Sequence, residues 1–108
     1  MYPIKKDLQI VSLDEVKRHL VIEDSDRDEE ITLIAAGVEQ ETLAFLDRSL
    51  EEIVEAYGGV PADIIGAILI RITTRFENRG EQTQKAANTI VANTWENILM
   101  KYVNPQSL

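Results

Sequence analysis

The segment Val11-Ser12-Leu13-Asp14-Glu15-Val16-Lys17-Arg18-His19-Leu20 carries nearly every signal that starts an α-helix. Ser12 can accept a hydrogen bond from the exposed N–H groups of a first helical turn, and Glu15 can complete a capping box. Val11 and Val16 have the spacing of a hydrophobic staple. A helix of about two turns is unstable by itself. We therefore predict that this helix docks onto a larger helical assembly.

The composition is that of one folded domain. The 108 residues are 44% hydrophobic and 28% charged, a balance typical of globular chains. No cysteine is present, so neither disulfides nor thiolate metal sites are expected. The N-terminus lacks the apolar run of a signal peptide, and the longest apolar stretch is too short to span a bilayer. We expect a soluble protein with no membrane partner, made in the cytoplasm.

The net charge of −8 bears on the choice of partner. Proteins that hold nucleic acid gain affinity when Lys and Arg displace the counterions of phosphates. An acidic chain is poorly suited to that role, but it can line a passage through which DNA slides.

Hydrophobic periodicity predicts an all-α protein, a small bundle of about four to five helices that forms a single domain over residues 1–108. An extended arm over residues 1–10 comes first. The predicted helices then run from Leu13 to Leu20, from Arg27 to Leu46 and from Leu50 to Tyr57, followed by a central helix from Pro61 that stops at Gly80. A flexible polar loop over residues 81–93 leads to a final helix that includes Trp95 and Tyr102, and residues 103–108 form a tail.

Further capping pairs mark the predicted helix starts. Asp26 with Glu29 and Ser49 with Glu52 repeat the spacing of Ser12 with Glu15. The predicted core anchors are large apolar side chains on the buried faces, namely Phe45, Ile68, Ile72, Phe76 and Trp95.

The inventory of catalytic and metal-binding residues is poor. Asp24 to Glu29 alternates carboxylates as a calcium loop does, but Glu29 stands where such a loop needs Gly, and Ala35 where it needs a bidentate Glu. His19 is the only histidine, and its place near a helix end suits the helix dipole. Gly58-Gly59 lacks the lysine of a phosphate-binding loop. We therefore expect no catalytic, metal or cofactor site.

Arg71, Arg75 and Arg79 recur every four residues and so form one stripe on the central helix. The stripe is either a solvated face or a seam that meets acids of a neighbouring subunit, and the sequence favours neither interpretation. The acids named as candidates for such a seam are Glu39, Glu41, Glu51 and Glu55.

The order of these elements resembles the head-tail connector, or adaptor, proteins of long-tailed bacteriophages. The resemblance covers roughly residues 10 to 103 and runs from the Val11–Leu20 segment through Asp24 to Glu30 and Pro61-Ala62-Asp63-Ile64 to Phe76-Glu77-Asn78-Arg79. In that pattern Phe76 would be a core anchor, and Arg79 would end the central helix at a structural or subunit contact. A helix over residues 50–57 departs from relatives that have a more extended connection there.

The resemblance implies a non-enzymatic virion protein of the neck, made in the host cytoplasm. Such subunits form a homo-oligomeric ring of about a dozen copies under the portal protein, and closed rings need two different complementary surfaces on each copy. The ring extends the DNA channel and docks a downstream neck or tail-completion protein. The alternative is a small acidic regulatory protein that binds a basic or nucleic-acid-binding partner.

Overall fold

The first helix, α1 (Leu13–Leu20), forms as its sequence predicts. In the computed structural model, which describes residues 8–77 and 94–107 of the chain, Ser12 accepts the N–H of Glu15, and the Glu15 carboxylate accepts the N–H of Ser12. Val11 and Val16 are both buried in the core. The capping box is therefore confirmed.

The second helix, α2 (Asp28–Leu46), is the longest, and its start differs from the predicted cap at Asp26. Arg27 occupies the N-cap position and makes no side-chain cap. The reason lies in the preceding turn, where the Asp24 carboxylate accepts the N–H of Asp26 and so keeps Asp26 ahead of the helix. In place of a side-chain cap, three acids in the first turn of α2 interact favourably with the positive end of its dipole.

Two further helices follow short connections. The helix α3 (Leu50–Tyr57) has the predicted capping box of Ser49 and Glu52 and ends at Gly58, whose φ of 79° suits glycine. The helix α4 (Ala62–Glu77) begins one residue later than predicted, because the Pro61 carbonyl already accepts the first helical N–H groups. The predicted stop at Gly80 lies outside the described residues.

The last described segment is helical over residues 94–100 (α5), so the helix ends before Tyr102, which was predicted to belong to it. A 3₁₀ turn follows over Pro105–Ser107. The described part of the chain has helices and no strand, which confirms the all-α prediction. The loop predicted over residues 81–93 and most of the arm lie outside the described residues.

The core is one cluster built around α2 and α4, the pair of helices that packs most extensively. The helix α1 packs across both of them. In contrast, α3 contributes a single fully buried side chain, Ile53. The long helices therefore form the body of the domain, and α3 leaves most of its surface exposed.

Candidate subunit interface

Two arginines of the predicted stripe pair with an acid of their own chain. The Arg71 guanidinium on α4 donates to both carboxylate oxygens of Glu41 on α2, with N–O distances of 3.1 and 2.9 Å. Arg75 places its Nη2 2.9 Å from Oε1 of the same carboxylate. Because two guanidinium groups share one carboxylate, this site has a surplus positive charge.

The electrostatics of Glu41 follow from this arrangement. Burial by itself would raise the pKa of Glu41, but the hydrogen bonds and charges of Arg71 and Arg75 outweigh it. The pKa of Glu41 is consequently lower than its ordinary value of 4.5. The carboxylate therefore stays ionised at neutral pH and joins α2 to α4.

Arg71 also joins α5 to the body of the domain. The Arg71 guanidinium lies 4.1 Å from the centre of the Trp95 ring, a distance typical of a cation–π contact. The Trp95 ring also contacts Phe45, with ring centres 5.0 Å apart. Side chains of three helices are thus held together around Arg71.

Glu39 has a role that its sequence context did not suggest to us. Its side chain is only 5% exposed, and its carboxylate accepts the backbone N–H groups of Gln9, Ile10 and Val11 at 2.8 to 2.9 Å. These three donors lie just before α1, where no helix supplies acceptors for them. Glu39 therefore fastens the segment that leads into α1 onto the middle of α2.

These pairings change the set of candidate interface acids. Glu39 is buried, and Glu41 is bound to arginines of its own chain, so neither presents an unpaired carboxylate to a neighbour. Glu51 and Glu55 remain exposed on α3. Arg79 lies outside the described residues, and a role for the stripe between subunits stays a prediction.

The predicted core anchors differ in their burial. Ile68, Ile72, Phe76 and Trp95 are buried, whereas Phe45 is half-buried at the edge of the core, against Trp95.

The end of the chain closes the corner between α2, α3 and α4. The N–H of Asn104 donates to the Leu46 carbonyl, and Arg48 donates to the carbonyl of Tyr102. The Tyr102 ring meets Tyr57 edge-on, and its hydroxyl donates to Asp63. Hydrogen bonds to Lys101 and to Tyr102 lower the pKa of Asp63. This segment is therefore tied to the body of the domain.

The helix α3 carries an exposed surface of mixed apolar and acidic side chains. Val54 and Tyr57 are 43% and 46% exposed, and they lie one helical turn apart. Glu51 and Glu55 flank Val54 on the side that faces solvent. An apolar pair bordered by acids offers both area to bury and charge to match.

The residues considered for chemistry are not brought together. His19 is exposed in the last turn of α1, and Asp24 forms a turn with its own backbone neighbours. Among residues 8–77 and 94–107, no group of His, Asp and Glu side chains is placed to hold a metal ion. Within the same residues no helix is both long and apolar enough to cross a membrane.

Fold and surface together define a small helical building block, in which buried charges serve packing and one helix is left open to other molecules. The chain matches the family model described as phage gp6-like head-tail connector protein over residues 10–103, and it belongs to that family. It is thus a structural connector protein of a phage. No curated protein and no solved structure matches the chain significantly.

Proposed function

We propose that the chain assembles head to tail into a closed ring of about a dozen copies, which binds under the portal and docks the next neck component. The observation that carries this proposal is the family match over residues 10–103. The ring would belong to the neck of the virion, have no catalytic activity and form in the host cytoplasm.

The exposed surface of α3 supports the assembly step. A ring needs heterologous contacts, in which each subunit offers two different surfaces. The acids and apolar side chains of α3 provide one such surface, since only Ile53 of that helix is fully buried.

The charge of the chain supports the proposal that the ring forms part of a DNA channel. With a net charge of −8, the chain would repel the phosphates of a passing genome. Arg71 and Arg75 counter this effect only in part, because Glu41 neutralises one of their two positive charges. DNA would therefore pass through the ring without being held.

Native mass spectrometry of the purified chain, alone and with the portal protein of the same phage, tests the proposal. A closed ring of about a dozen copies, free or on the portal, is the expected result. A monomer or dimer that ignores the portal would contradict it and would favour the acidic regulatory alternative.

The arginine stripe is tested by Arg75→Gln in the same assay. Arg71 alone keeps both of its hydrogen bonds to Glu41, so the fold should survive this change. If the stripe also contacts a neighbour, the variant ring dissociates at lower salt than the wild type. Rings of equal salt resistance would limit the contacts of Arg75 to its own subunit.

A further inference from the structure

Val21 combines two unusual properties. It ends α1 in the left-handed conformation, with φ 61° and ψ 49°, and its side chain is 84% exposed. The left-handed region is unfavourable for any side chain and most of all for a β-branched one. Large apolar side chains also gain nothing from facing water.

The local backbone gives no reason for a valine at this position. The N–H of Val21 bonds to the Arg18 carbonyl and the N–H of Ile22 to the Lys17 carbonyl, which is the helix ending that glycine favours. At the end of α3 the corresponding position is Gly58. Backbone strain of this kind is concentrated at functional sites, so it motivates a functional hypothesis for Val21.

The chemistry around Val21 is complementary to the surface of α3. Arg18 lies one turn before Val21, is exposed, and makes no ion pair within the described residues. Val21 and Arg18 thus form an apolar knob beside a positive charge. On α3, Val54 and Tyr57 form an apolar patch beside the carboxylates of Glu51 and Glu55.

The two surfaces lie at opposite ends of α2. Lys17 of α1 bonds to Asp28 at the start of α2 with an N–O distance of 2.7 Å, so Val21 lies near that end. The helix α3 follows the other end, about 28 Å away for a helix of 19 residues. One subunit therefore cannot bring its own knob to its own patch, but two copies can.

We propose that Val21 of one copy packs against Val54 and Tyr57 of the next, with Arg18 facing Glu51 and Glu55. This contact rests on the proposed ring and names its two surfaces. Because the knob and the patch differ, each copy gives one and receives one, as a heterologous ring requires.

Cysteine cross-linking tests the contact directly, since the natural chain has no cysteine. Val21→Cys and Val54→Cys subunits are mixed and treated with a short bismaleimide, alone and with the portal. The matched control replaces Val54→Cys by Leu33→Cys, another exposed apolar residue. Mixed dimers should form with the Val54→Cys subunit several times faster than with the control, and equal rates would overturn the contact.

Val21→Asn gives a second measurement. Asparagine tolerates the left-handed conformation, so the subunit should fold, but it removes the apolar knob. The affinity between subunits should fall about tenfold per interface, because a valine side chain is no longer buried at the contact. Leu33→Gln, the control, should assemble as the wild type does.

Charge exchange completes the test. Arg18→Glu should weaken the ring, and adding Glu55→Arg should restore it, because the pair is then reversed.

If Val21→Asn forms normal rings, the proposed contact is wrong and the proposed ring still stands. If Val21→Asn forms rings but loses the portal, the knob serves the portal, which also overturns the contact. If the wild type forms no ring under any condition, the proposed function itself fails.

Discussion

Glu39→Ala should be among the most destabilising single substitutions of a charged residue in this chain. The carboxylate accepts three backbone N–H groups, of which that of Val11 is buried and those of Gln9 and Ile10 are partly so. A hydrogen bond to a charged group contributes roughly 1.5–3 kcal/mol, but water can reach the two outer donors after the change. We expect Glu39→Ala to lower the free energy of unfolding by about 3 kcal/mol.

Glu39→Gln removes the negative charge of the side chain but keeps its shape. Its single carbonyl oxygen can still accept from Ile10 and Val11, while its amide group faces the N–H of Gln9, so we expect a loss of about 1.5 kcal/mol. Urea unfolding followed by circular dichroism measures the loss in the free energy of unfolding for both variants. Gln40→Ala, which changes the exposed neighbouring residue, is the control.

Amide hydrogen exchange locates the effect. Glu39→Ala should expose the amides of Gln9, Ile10 and Val11 to exchange, whereas the amide of Val16, bonded to the Ser12 carbonyl, should change only with global stability. A loss below about 1 kcal/mol with unchanged protection at residues 9–11 would refute the fastening role of Glu39.

Three other outcomes follow from the structure. Val21→Gly should raise the free energy of unfolding by about 1 kcal/mol, because it relieves the left-handed strain, and a lower urea midpoint would contradict this. The lowered pKa of Glu41 means that it stabilises the fold above pH 4.5 and ceases to do so as the pH falls through its folded-state value. The stability advantage of wild type over Glu41→Gln should therefore shrink on acidification, as urea titrations at several pH values would reveal, and growth of the advantage would be inconsistent with this. Ser12→Ala and Ser49→Ala should each cost about 1 kcal/mol in thermal unfolding, and no shift in either would refute its cap.

Local signals made much of the fold predictable. The capping pairs at Ser12 and Ser49 are satisfied within three residues, so their sequence spacing determines their geometry. Asp26 has the same spacing to Glu29, but a competing turn centred on Asp24 decides the outcome. Such competition depends on backbone geometry that the spacing alone does not contain.

Long-range pairings were less predictable. Glu39 falls on the buried stripe of α2 beside Val38 and Thr42, and that position was the available sign that it is an internal acceptor. Glu41 and the arginine stripe were recognised as complementary, but complementary charges look alike whether they meet within one chain or between two. Only the packing of α4 on α2 shows that this pair meets within the chain.

The isolation of α3 affects how this protein can change over evolutionary time. Its capping box and Gly58 satisfy both helix ends locally, and Ile53 is its single fully buried side chain. Mutations on its outer face therefore have little effect on folding, so binding to a neighbour limits them and the stability of the subunit does not. A lineage can in this way adjust its fit to a new neighbour in the virion while the body of the domain stays the same.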